Sequence, residues 1–393
     1  MSSGAKNYTE TDHNPFAMLE ILLGTFFYKP DLQAIRTVLG TIKAHYLDAG
    51  DPAWLFAVAP PGTGKTTISI MGACGLPQVV SIGALTENCL LSGFYGAEQP
   101  GLLEQLGYTR QDGNALLTKG DGIFLIKDFT TFLSMHRDKR AAVLSYLREI
   151  HDGEFRRSFG TGETKIWRGR LTVVAAVTPV LDRHYAIFNL LGERFLQVRW
   201  HRPDSEEAGE WAIEQQGQEK DIRKSIQQAV RELFSESPRM PPTLTPEMRK
   251  RIAAVAEIVA LGRAHIPRNS YGNREIEYVP EPEANTRISK GLASIAMGIA
   301  ALNQREEIAE PDLNDVIRVA FDCLPEARRR ILLAAIGGQG VDSVAMPRTV
   351  RNREVEELQA LDLLDDKSKL NKRAKRLLAI ACPETFPLGV YHV

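Results

Sequence analysis

The chain has 393 residues, too many for one ordinary hydrophobic core, so two or three folding units are expected. Its 48 basic and 49 acidic residues give a net charge of −1, which leaves any affinity for nucleic acid to local patches. No apolar run approaches the roughly 20 residues that span a membrane, and the composition, 44% hydrophobic and 25% charged, is that of a globular cytosolic protein. Cys74, Cys89, Cys323 and Cys382 are far apart and the histidines lack metal-ligand spacing, so neither a disulfide framework nor a zinc site is indicated.

Residues 16–47 read as a leading helical pair, with apolar positions at helical spacing and Lys29-Pro30-Asp31 as the start of the second helix. Short, continuously apolar runs follow at 54–58, 79–82, 123–126 and 171–177, alternating with helical patterns. Buried parallel strands read this way, so an α/β unit is expected over 51–203, behind an N-terminal helical segment at 1–50.

The first strand runs into Ala59-Pro60-Pro61-Gly62-Thr63-Gly64-Lys65-Thr66-Thr67, and Ile68 onward can continue as a helix. Strand, glycine-rich loop and helix make a phosphate-binding loop, with Ala59 where the eight-residue pattern has its first glycine. In such a loop the backbone N–H groups of Pro61 to Thr67 other than the proline face phosphate. Lys65 neutralises the β and γ oxygens, and the Thr66 hydroxyl holds Mg²⁺. ATP and Mg²⁺ are the implied ligands. A carboxylate at the end of a neighbouring strand is also needed, and Asp128, after residues 122–127, is the acid available. The lesser alternative is a simple helix N-cap or turn residue.

Next come an amphipathic helix over 138–151 and two β-prone runs, 154–159 and 164–168, around a glycine turn, which read as a hairpin carrying Arg156, Arg157, Lys165 and Arg168. Those cations suit phosphate contacts, or else a solvated sheet edge. Residues 204–325 are helical throughout, with stripes at Ile252, Val255, Ile258 and Val259 and at Leu292, Ile295, Ile299 and Leu302. A polar, turn-rich and mobile loop is expected over 267–285. The segment 326–393 offers helices at 326–336, 341–345 and 349–364, a polar turn over 365–373 and a last apolar stretch.

These motifs, in this order, resemble the AAA+ ATPases, and within them the branch of the minichromosome maintenance helicases and MoxR-like chaperones. The resemblance spans roughly residues 50–325. It implies a parallel α/β P-loop core with an all-α lid and ATP sites between subunits of a hexameric ring or helical filament. In that branch the acidic strand ends in Asp-Glu, often followed by Phe. Matching Phe129 puts Asp128 on the water-polarising position and Lys127 on the metal position; matching Asp128 to the metal Asp leaves Phe129 on the catalytic one. By the same resemblance Thr178 is the polar sensor, Arg194 the arginine finger and Arg287 a second γ-phosphate sensor, and the hairpin points into a central pore.

The C-terminal segment resembles a winged helix-turn-helix. Arg348, Thr349, Arg351, Asn352 and Arg353 of its third helix would meet DNA, with Lys367, Lys369, Lys372 and Arg373 on a wing. Such modules also dock proteins, and Glu354, Glu356 and Glu357 would repel phosphate if they faced the groove. DNA, a second copy of the chain and a protein partner are therefore the expected partners, without a membrane.

Overall fold

The computed structural model describes residues 14–48, 50–64, 73–83, 85–86, 89–91, 100–113, 115–160, 162–184, 194–201, 205–269, 275–384 and 386. Among these, the central element is a five-stranded, wholly parallel sheet. It is built from β1 (Trp54–Val58), β2 (Val79–Ile82), β5 (Gly122–Ile126), β8 (Leu171–Val177) and β9 (Phe195–Arg199), in the order β2-β5-β8-β1-β9. β1 lies in the middle, with Val58 in register with Val177 and Arg199. The unbroken apolar runs follow from burial on both faces. Leu55 and Ala57 of β1 enter one core, and Trp54, Phe56 and Val58 enter the other.

One face is covered by α3 (Thr130–Leu133) and α4 (Arg137–His151), which buries Val143, Leu144, Leu147 and Ile150 on its expected side. The other face is covered by α2 (Leu32–Leu47), which follows α1 (Ala17–Phe26) and is capped by Asp31, whose carboxylate accepts the Ala34 N–H at 3.0 Å. Behind α2 stand the helices α5 (Ser205–Glu214), α6 (Glu219–Glu236), α7 (Pro246–Arg263), α8 (Thr286–Leu302) and α9 (Glu310–Asp322). The apolar stripes expected on α7 and α8 are buried. Glycine allows α2 and α8 to meet backbone to backbone, since a Cβ on Gly298 would stand 1.9 Å from the Gly40 carbonyl oxygen.

A second sheet, which sequence reading only half recognised, extends from the N-terminal ends of β5 and β8. The expected hairpin is present as β6 (Glu154–Ser158) and β7 (Thr164–Arg168), but a further hairpin, β3 (Tyr108–Asp112) and β4 (Ala115–Lys119), joins it in the order β3-β4-β7-β6. β4 pairs with β7 in parallel, and both chains run on into β5 and β8 through Gly120 and Gly169. A Cβ on Gly169 would lie 2.1 Å from the Gly120 oxygen, so the two sheets join through a glycine corner.

The C-terminal segment forms α10 (Glu326–Ile336), a single 3-10 turn at Val341–Ser343, α11 (Arg348–Ala360), a one-bridge hairpin joining Leu364 to Leu370, and α12 (Lys372–Ala381). α11 ends at Ala360, four residues before the expected boundary at 364, because Asp362 takes the left-handed conformation at φ 58°. Lys372 and Arg373 open α12, capped by Asn371, so they lie on a helix and not on a wing; Lys367 and Lys369 lie in the hairpin turn.

The segments meet in a buried ionic junction. Arg199 of β9 grips Asp182 at 2.9 and 2.7 Å, Arg318 of α9 grips Asp31 at 2.8 and 2.5 Å, and Asp322 receives the Arg199 amide at 2.8 Å and Arg329 of α10 at 3.0 Å. Burial pulls the Asp31 carboxyl upward. The hydrogen bonds and charge of Arg318, with the Ala34 and His201 amides, outweigh it and leave Asp31 below the usual carboxylate range.

A candidate phosphate-loop site and its opposite edge

The described part of the phosphate loop leaves β1 at its C-terminal end. The Ala59 N–H donates to the Val177 carbonyl at 3.0 Å, and the Thr63 hydroxyl donates to the Pro60 carbonyl at 3.0 Å. Gly62 and Gly64 adopt φ of 83° and 76°, which side chains rarely allow, so these two glycines are required by the turn. Pro61 is exposed between them and β1. Lys65, Thr66 and Thr67 lie outside the described residues.

Beside Gly62, Thr63 and Gly64 is a cavity of about 300 Å³. Its other walls are the Phe26–Asp31 segment, Trp200 and His201 after β9, Trp211 of α5, Gln215 in the turn that follows it, and Arg223 of α6. Tyr28 and Trp211 face each other with ring centroids 6.1 Å apart. This aromatic chamber was not anticipated from sequence, although the run Phe26-Phe27-Tyr28 just before the start of α2 was its visible trace.

The neighbouring strand ends bring Asp128 and Thr178 together. Asp128 accepts the Thr130 N–H at 2.8 Å, and Thr130 and Thr178 hydroxyls are 3.3 Å apart, with the Thr178 N–H also donating to Thr130 Oγ1. Asp128 thus closes a tight turn just ahead of the short helix α3, whose N-cap is Phe129, and remains on the exposed rim beside Lys127. Phe129 is fully buried among Phe56, Phe132 and Phe195, so that position supplies no catalytic group. Among the described residues no cluster of three or more His, Cys, Asp or Glu could hold a metal.

Arg194 and Arg287 lie at the other end of the sheet. Both line a narrow cleft, about 20 Å³, with Asp51, Trp54 and His151 at the N-terminal ends of β1 and β9. Five strand residues, roughly 16 Å of chain, separate this cleft from the phosphate loop of the same molecule. Arg194, expected by resemblance as an arginine finger, is buried within its own chain. Its side chain is only 6% exposed, and its Nη2 binds both oxygens of Asp152, at 3.0 and 2.9 Å. Burial first, and then the Arg194 charge, lower the His151 pKa.

The basic hairpin is largely committed. Lys165 is turned inward to Glu104 at 2.9 Å and the Leu91 carbonyl at 3.0 Å, which corrects its reading as a phosphate contact. Arg168 pairs with Glu154 at 2.7 Å, Arg157 lies over Tyr146 and Phe159, and Arg156 is exposed. On α11, Arg348, Thr349, Asn352 and Arg353 are exposed, while Arg351 is half-buried against Asp342 at 2.9 Å and Arg353 pairs with Glu354 at 2.6 Å. The acids once feared in the groove point elsewhere. Glu354 and Glu357 are buried on Arg328, and Glu356 and Glu357 hold Arg268, which ties the 267–285 loop to α11. Lys369 and Lys372 are exposed.

No family model matches the sequence, and no curated protein matches it. No helix among the described residues is long and apolar enough to cross a membrane.

Proposed function

We propose that this protein is an ATPase of the AAA+ type that works as a ring or helical oligomer on DNA. The observation that carries the reading is the 300 Å³ aromatic cavity walled by Gly62, Thr63 and Gly64 at the carboxyl end of a parallel sheet, where open α/β folds bind ligands. A nucleotide base fits an aromatic chamber, and its phosphates then extend over the glycine loop toward Lys65 and Thr66. Asp128 and Thr178, on the adjoining strand ends, would hold the attacking water or a phosphate oxygen. The bound Mg²⁺ supplies charge neutralisation on the phosphates.

Arg194 and Arg287 stand too far from their own loop to touch that nucleotide, which supports a site completed by a neighbouring subunit. The helices 205–325 then form the lid and 326–384 a winged-helix module. A MoxR-like protein remodeller is the second reading, favoured by the ion pairs that occupy Lys165, Arg168, Arg351 and Arg353. Steady-state ATP hydrolysis with and without single- and double-stranded DNA, against Lys65→Ala, decides between them. DNA stimulation supports the first reading, robust turnover indifferent to DNA the second, and turnover equal to the Lys65→Ala blank sinks both.

A further inference from the structure

We propose that the DNA-facing element of the C-terminal module is α12 with the turn before it, and not α11, and that it grips the phosphate backbone without reading sequence. The proposal rests on the DNA reading above and departs from the winged-helix expectation, in which α11 enters the groove. α12 buries Ala374, Leu377 and Ala381 and is tied to α7, where the Ala381 carbonyl accepts Arg251 Nε at 2.9 Å and Arg373 reaches Glu257 at 2.7 Å. Lys372, Lys375 and Arg376 are then left together on the outer face, three and four residues apart, and all three are exposed.

The turn adds two more cations and holds their backbone in place. Asp365 accepts the Lys367 and Lys369 N–H groups at 2.9 Å each and donates its own N–H to the Lys369 carbonyl at 2.7 Å. Its carboxylate is thereby engaged inside the turn, while both lysine side chains are exposed. Among the described residues none of these five cations is in an ion pair. The arginines of α11 are committed by contrast, Arg351 to Asp342 at 2.9 Å and Arg353 to Glu354 at 2.6 Å. A paired cation must give up its acid before it meets phosphate, and the cations of the turn and α12 have none to give up.

The chemistry of this face selects its partner. Asp362 is turned to Asn371 and Arg373, and Asp366 is the acid of the turn left facing solvent. Protein interfaces are poor in lysine and centre on aromatic or apolar anchors, whereas residues 365–376 carry no aromatic side chain. Clustered, unpaired cations instead suit a phosphate backbone, from which they release counterions. Base edges are read mainly by amides and bidentate arginine. Asn371, the amide of this stretch, is spent on the Ala374 N–H and on Asp362, and four of the five cations are ammonium groups. The contact is therefore to backbone, which carries no sequence information.

The test measures binding of the full-length protein to two short duplexes of unrelated sequence over a series of salt concentrations. The wild type is expected to bind both within about twofold. Lys372→Gln/Lys375→Gln/Arg376→Gln should lower the slope of log affinity against log salt by about 2–3, and Lys367→Gln/Lys369→Gln by about 2, whereas Arg348→Gln/Asn352→Ala should lower it by at most about 1. All these side chains are exposed, so the variants should keep the wild-type unfolding midpoint. Slopes unchanged in the α12 and turn variants, an equal loss in the α11 variant, or a strong preference for one duplex overturns the proposal and leaves the protein a DNA binder. Wild-type binding to polyglutamate as tight as to DNA overturns it in favour of an acidic protein. A wild type that binds no DNA even at low salt removes this proposal and the DNA reading together.

Discussion

The two ends of the central sheet are built on opposite physical terms. At the carboxyl end the strands stop in loops with glycine turns, an aromatic cavity and exposed polar tips, and a network of buried arginines and aspartates holds the rim in place. At the amino end the backbones close tightly through Gly120 and Gly169, and Gly291 packs on the Leu196 side chain, with little space and several cations. One end has room for a ligand of its own; the other has charge and no room.

The largest effect should come from cutting the support of the carboxyl end. Arg318→Ala leaves Asp31 buried without its partner beside the cavity wall and the His201 amide, so a loss of about 3–5 kcal/mol is expected by denaturant unfolding. Asp31→Asn/Arg318→Met together should cost much less, because neither leaves a lone buried charge. Equal losses in the single and double variants would show that the pair is not coupled as its geometry requires.

The amino end responds to pH. His45 of α2 is buried, with Nδ1 3.1 Å from the Thr172 hydroxyl at the start of β8 and its carbonyl bonded by Arg170. Burial, and then the Arg170 charge, lower its pKa to about 4. The folded protein therefore holds His45 neutral, while the unfolded chain protonates it near the ordinary 6.5. Its contribution is fully present above pH 6.5 and is lost as pH falls through 4, about 3 kcal/mol in all. Stability measured from pH 7 to 4 should fall more steeply in the wild type than in His45→Gln. Parallel curves would mean that the imidazole is not held neutral.

The carboxyl end was the more legible of the two in sequence. Gly62 and Gly64 announced their turn, and the apolar runs announced parallel strands, because both depend on local residue chemistry. The cavity was invisible because Tyr28, Trp200 and Trp211 come from three distant segments. The β3–β4 hairpin was missed because all five β3 residues are exposed and carry no alternation. Arg194 was read from its neighbours in the chain, but its environment is set by Asp152 across the fold. Likewise Lys165 looked like part of a basic hairpin, and only the packed structure brings Glu104 to it.

Within the cavity, Trp211→Ala should weaken ATP binding by about 1–3 kcal/mol, the range for stacking a base on an aromatic ring. Inorganic triphosphate, which lacks a base, should bind the variant and the wild type alike. If both ligands weaken together, Trp211 supports the fold of α5 and does not meet the base.

The smallest effects belong to the hairpin sheet, and they sharpen the choice between nucleic acid and protein at the amino end. Arg156 is exposed, whereas Arg168 already has Glu154 at 2.7 Å on an open surface. An exposed pair of that kind adds little to stability, so neither Arg156→Ala nor Arg168→Ala should unfold the protein. Their effects on DNA should nonetheless differ. A cation that meets phosphate releases counterions, so Arg156→Ala should reduce the slope of log affinity against log salt by about 1, and Arg168→Ala by less. Lys165→Ala belongs to another class, since it strips Glu104 of its partner and should register as lost stability. A salt slope untouched by Arg156→Ala would remove this hairpin from any DNA contact and leave Arg348 on the exposed face of α11, with the exposed Lys367, Lys369 and Lys372, as the remaining basic surface assigned to it.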